Sequence, residues 1–124
     1  MKLYRITDDK INLLKTPRRP LAFLLSSQSC HLCLGLKPVY RTVAAAYDGQ
    51  FDFAIANIDM CPQIKEKFIE DGVPTICILF DEMAYYIPEP SEPTKHTWYS
   101  EEYIKKHLDA FTEGDFYSWN ARTI

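Results

Sequence analysis

Cys30 and Cys33 lie three residues apart in the stretch SQSCHLCLGLKP, residues 27–38. An apolar run precedes them and Pro38 follows. Two thiols at this spacing admit three chemistries: a redox pair, half of a metal site, or two inert buried cysteines. In the first turn of a helix their Cα atoms come roughly 5–6 Å apart, within the window of about 4.4–6.8 Å that a disulfide needs. One thiolate can then attack a substrate disulfide while the other is placed to resolve the mixed disulfide. Cys30, nearer the helix start, would meet unpaired N–H groups and the positive end of the helix dipole, both of which favour a thiolate. It is the expected nucleophile. Cys33, one turn in, is the expected resolving thiol, buried and less acidic. A structural zinc needs four ligands, usually as two such pairs. His31, Cys61 and Cys77 do not supply a second pair by spacing, so no metal site is expected. A CxxC at a strand-to-helix junction favours the redox reading.

Hydrophobic periodicity places the pair at such a junction. LAFLLS (21–26) is a continuous apolar run, as in a strand buried on both faces. From Cys30 to about Tyr47, Leu32, Leu36, Val39, Val43 and Ala46 recur at three- and four-residue steps, which predicts a helix kinked at Pro38 and ended by Gly49. Upstream, KLYRIT (2–7) alternates as a strand, and Thr7 and Asp8 can cap a short helix, DDKINLLK, closed by Pro17. Downstream, 51–59 reads as a strand, 62–71 as a short helix opened by Pro62, 75–80 as a central strand and 83–87 as its hairpin partner across Asp81 and Glu82. The proline-rich PEPSEPTK (88–95) must be a loop, and Ser100 caps a last helix, EEYIKKHLDAF. Strands separated by helices, ending in a hairpin, predict an α/β domain over residues 1–112. Its sheet is mixed, of about five strands, with helices on both faces. Residues 113–124 read as a C-terminal tail that Phe116, Tyr117 and Trp119 could dock.

A length of 124 residues fits one domain, and a net charge of −3 gives no electrostatic case for a nucleic-acid or anionic-membrane partner. The N-terminal MKLYRITDDK lacks the apolar segment of a signal peptide, and no run approaches a membrane span. A cytoplasmic, monomeric protein is the expectation. Four cysteines in this length are too few for a disulfide scaffold. Cys77, inside an apolar strand, reads as a core residue. Cys61, before Pro62, reads as a helix-start residue that could be partly exposed and acidified.

In order along the chain, CHLC followed by Pro38, NID at 57–59 followed by Pro62, and GVPT at 72–75 resemble the thioredoxin family over roughly residues 2–112. The TDD at 7–9 falls in the same register. The resemblance implies the thioredoxin fold and a cis Val73–Pro74 bond beside the CxxC. It also implies a substrate-binding edge at Val73, Pro74 and Thr75, where the backbone of Val73 pairs with the client chain. By the same resemblance the clients are protein disulfides, no cofactor is bound, and a flavoprotein of the thioredoxin-reductase type is a candidate reductant. The departures are equally specific. Ser26 and Ser29 stand where the family has tryptophans. His31 and Leu32 replace the Gly-Pro dipeptide that tunes the potential. Leu24 and Ile55 replace a buried aspartate and its lysine partner, and the insertion 88–97 replaces a groove glycine. Without the aspartate Cys33 should be harder to deprotonate, whereas a protonated His31 would stabilise the Cys30 thiolate.

Two functions follow. The first is a thiol–disulfide oxidoreductase that reduces or exchanges protein disulfides through Cys30 and Cys33. The second is a thioredoxin-fold protein-binding module whose cysteines are redox-inactive or regulatory; the missing aromatic and acidic residues favour it, and the intact CxxC with Pro38 opposes it.

Overall fold

The apolar run at 21–26 forms the strand β2 (Leu21–Ser26), buried at all six positions. This is why its sequence shows no alternation: both faces are covered. The computed structural model describes residues 3–69 and 71–124. Its other strands are β1 (Leu3–Arg5), β3 (Asp52–Asn57), β4 (Thr75–Phe80), β5 (Met83–Tyr86) and β6 (Ala121–Thr123). The helices are α1 (His31–Ala46), α2 (Pro62–Phe68) and α3 (Glu101–Thr112). The strands form one mixed sheet in the order β1-β3-β2-β4-β5-β6. The β1–β3 and β2–β3 pairs are parallel, and the remaining pairs are antiparallel.

Alternate residues of the central strands feed two cores. Ala22, Leu24, Ile76 and Ile78 pack with Leu36, Tyr40 and Val43 of α1 and with Ile104 and Leu108 of α3. Phe23, Leu25, Cys77 and Leu79 pack on the other face with Leu14 and with Ile64 and Phe68 of α2. Helices therefore cover both faces, as the pattern predicted. No helix among the described residues is long and apolar enough to cross a membrane.

The sheet has six strands where about five were expected. The segment 113–124, read as a tail, supplies the sixth: Ala121 pairs with Tyr85 and Thr123 with Met83. Phe116 stacks on Phe111 at 4.3 Å between ring centroids, and Trp119 lies 5.5 Å from the His107 ring, while Tyr117 is exposed. Smaller differences have local causes. Residues 8–14 form a 3-10 helix, and Thr7 makes no side-chain cap to it. The strand at 51–59 is shorter, because residues 58–60 turn as a 3-10 helix under the Asn57 side chain, which accepts from the Asp59 N–H. Helix α1 stops at Ala46, and Gly49, at φ +92°, lies in the turn beyond it. Lys2 and Glu70, placed in the first strand and second helix by the sequence, fall outside the described residues. Asp81 and Glu82 both take positive φ, 53° and 60°, which gives the tight hairpin between β4 and β5 its twist.

Candidate active site

Strand β2 ends at Ser26, and four residues, Ser27 to Cys30, lead the chain into α1. The carboxylate of Asp59 holds this short connection. Ser27 donates its hydroxyl to both Asp59 oxygens at 2.9 Å, and the Gln28 N–H donates to Oδ2 at 3.0 Å. The Ser29 N–H in turn donates to the Ser27 hydroxyl at 3.3 Å. Four polar groups thus fix the backbone immediately before Cys30.

Cys30 is the N-cap of α1, in extended conformation, and its sulfur accepts the Cys33 N–H at 3.1 Å. A thiolate here meets one of the unpaired donors of the helix end. Cys30 is half-buried, whereas Cys33 is fully buried. Burial, first, and the hydrogen bond to Cys30, second, push the Cys33 thiol up to about 12; the Ser27 backbone and the charge of Lys37 oppose this. No carboxylate takes the place of the family's buried acid: Leu24 and Ile55 face each other in the β2–β3 register, both buried.

Opposite Cys30 the chain makes its cis peptide bond, Val73–Pro74, and the Val73 carbonyl oxygen lies 3.9 Å from the Cys30 sulfur. Thr75 begins β4 and donates its hydroxyl to the Gly72 carbonyl at 2.6 Å. The structure therefore brings Cys30, Cys33 and the 73–75 segment together. His31 is exposed at the first position of α1, Leu32 is half-buried, and Pro38 sits inside the helix with its ring exposed.

The proline-rich insertion is an ordered wall against α1. Thr94 and Trp98 exchange backbone hydrogen bonds at 3.1 and 3.3 Å, and Thr94 also accepts the Thr97 N–H at 2.9 Å. The turn presses the His96 carbonyl oxygen against Gly35, so closely that a Cβ at Gly35 would lie 2.0 Å from it. Only glycine permits this approach. Trp98 packs onto the core under α1 and α3.

The remaining cysteines stand apart. Cys77 is fully buried, and burial alone raises its thiol. Cys61 is buried as well, against the expectation of a partly exposed, acidified thiol: its sulfur lies 3.8 Å from the Ile6 carbonyl, and burial and the Asp8 carboxylate raise it. Asp8 caps α2 through the N–H groups of Gln63 and Ile64, both at 3.0 Å, and so draws the first 3-10 segment over Cys61. Among the described residues no cluster of histidine, cysteine and carboxylate side chains could hold a metal ion. Sequence reasoning missed Asp59 as the anchor of the site and Gly35 as the seat of the insertion. The NID motif marked the first without its partner, and nothing marked the second.

A mixed sheet with a CxxC at the strand-to-helix junction and a cis-proline segment facing it is the arrangement expected of the thioredoxin fold. No protein-family model and no curated protein matches the chain. Among solved structures it is similar to chloroplastic thioredoxin z, with a TM-score of 0.70 over 92% of this chain and 97% of that one. The two are 20% identical, so the likeness is one of fold, and the chain has the thioredoxin fold.

Proposed function

We propose that the protein is a thiol–disulfide oxidoreductase acting on protein disulfides, with Cys30 as nucleophile and Cys33 as resolving thiol. The observation that carries this reading is the asymmetry of the pair: a half-buried cysteine at a helix N-cap beside the Val73 carbonyl, and a fully buried one three residues on. The Cys30 thiolate attacks one sulfur of the client disulfide. That bond breaks, a Cys30–client disulfide forms, and the other client sulfur leaves as a thiolate and takes up a proton. Cys33 then loses its proton and attacks the Cys30 sulfur. The mixed disulfide breaks, the second client thiol departs, and the two electrons given to the client leave a Cys30–Cys33 disulfide.

The 73–75 segment would hold the client chain in extended form, with the Val73 backbone as the pairing edge. A flavoprotein of the thioredoxin-reductase type would return the pair to the dithiol, in a reducing compartment such as the cytoplasm, with the protein acting as a monomer and without a bound cofactor. The structure of chloroplastic thioredoxin z is described as defining a type-specific target recognition. A client set peculiar to this chain is in keeping with the insertion that walls α1 at Gly35. The test is trapping. Cys33→Ser incubated with a disulfide-bonded protein such as insulin is expected to accumulate a mixed disulfide through Cys30, and Cys30→Ser none. Absence of any trapped species would leave the alternative, a thioredoxin-fold binding module with idle cysteines.

A further inference from the structure

Between β1 and α1 lies a pocket of about 180 Å³, lined by Leu3, Arg5, Lys37, Tyr40, Arg41 and Ile55. Leu3 and Arg5 alternate onto the sheet face that carries Ile55, with Arg5 opposite Ile55 in the parallel register. Lys37 and Arg41 stand one turn apart on α1, and so share a side of the helix. Tyr40 closes the pocket with a fixed wall: it is fully buried and its hydroxyl donates to the carbonyls of Ala22 at 2.7 Å and Ala54 at 3.1 Å.

Three cations thus meet over an apolar floor. None of them forms an ion pair with another described residue, whereas elsewhere Arg19 pairs with Asp52 and Lys105 with Glu101. In a chain whose net charge is −3, such a convergence runs against the bulk composition. Like charges one helical turn apart oppose folding, and a bound anion would relieve that repulsion. The floor of Leu3 and Ile55 fits an apolar body, and the volume is close to the roughly 150 Å³ of a cavity that takes benzene.

We propose that this pocket binds a phosphate monoester carrying a compact apolar group, with the phosphate held by Arg5, Lys37 and Arg41. Guanidinium groups suit this role because they meet phosphate oxygens in pairs. The site is also linked by charge to the cysteine pair. Lys37 lies one turn beyond Cys33, and its charge eases formation of the Cys33 thiolate. An occupied pocket would screen that charge and slow the resolving step. The binding itself does not depend on the redox reading.

The test is a titration of the full chain with phenyl phosphate at constant ionic strength, followed by amide chemical shifts. Saturable one-to-one binding is expected, with shifts centred on residues 3–5, 37–41 and 55. Arg5→Gln, Lys37→Gln and Arg41→Gln should each weaken it by roughly tenfold, and Lys106→Gln should leave it unchanged. Inorganic phosphate should bind the same residues more weakly. No saturation, shifts scattered over the cationic surface, or binding that the three pocket variants leave intact would overturn the proposal. So would phenol binding as well as phenyl phosphate, since the pocket would then select for apolar groups alone.

Discussion

Burial raises the Cys33 thiol, and two of the other contributions, the hydrogen bond and charge of Cys30, exist only while Cys30 is free. Once Cys30 is tied up in a mixed disulfide both disappear, so Cys33 becomes easier to deprotonate at the moment its attack is needed. Desolvation remains, with no carboxylate beneath to take the proton. Release of client from the mixed disulfide is therefore expected to accelerate with pH, roughly tenfold per unit near neutrality, in a quenched-flow experiment. A rate that is flat across neutral pH would mean that Cys33 is not the attacking group. Asp59 carries a different load, as the acceptor for Ser27 and Gln28. Charge-assisted bonds of this kind contribute about 1.5–3 kcal/mol. Asp59→Asn should lose roughly 2 kcal/mol in denaturant unfolding, and Ser27→Ala less, because Gln28 keeps its bond. The CxxC was legible because thiols at i and i+3 at a strand-to-helix junction have few alternative uses. The Ser27–Asp59 contact was not: its two residues are 32 apart, polar and without periodicity.

Helix α1 is the element on which the site depends, and its contacts with the insertion test the second layer of the structure. Gly35→Ala sets a methyl group against the His96 carbonyl, which is backbone and cannot swing aside. Overpacking of this sort costs about 1–3 kcal/mol. A lowered melting temperature is expected, with shifted amide resonances confined to residues 94–98 and the middle of α1. An unchanged protein would show that the turn does not rest on the helix. Strand β6 is the element the sequence concealed. The residues ART carry no alternating apolar pattern and are held by the open edge of β5 and by Phe116 and Trp119 packed on Phe111. Such a strand is specified by its partner and not by its own residues. By contrast β2, β4 and α1 appear where the apolar pattern placed them, because their burial is written in continuous apolar runs or in side chains that recur at helical steps. Cys61 was misread for the same reason as β6: the segment that covers it, through Ile6 and Asp8, lies more than fifty residues earlier.

For the whole molecule, burial ties stability to pH on the alkaline side. The Cys33 thiol rises from 9.0 to about 12, and the Tyr47 hydroxyl, buried and beside the Asp109 carboxylate at 2.7 Å, rises from 10.0 to about 12. Both groups are neutral when protonated, and the folded state holds these protons more tightly than the unfolded chain. Their contribution is complete below pH 9.0 and is lost as the pH rises toward about 12. The denaturation midpoint should fall steadily over that range, and Tyr47→Phe should flatten the fall. The same thioredoxin fold accommodates a catalyst or a passive binding module, and the distinction rests on whether Cys30 and Cys33 form a couple. Equilibration of the full chain with glutathione buffers of graded ratio, followed by mass analysis of the peptide containing residues 27–38, addresses this most directly. Loss of two hydrogens within that peptide, following a two-electron curve and abolished by Cys33→Ser, is the expected result. Thiols that remain reduced, or carry only glutathione, at every ratio would show that the two cysteines do not work as a redox pair.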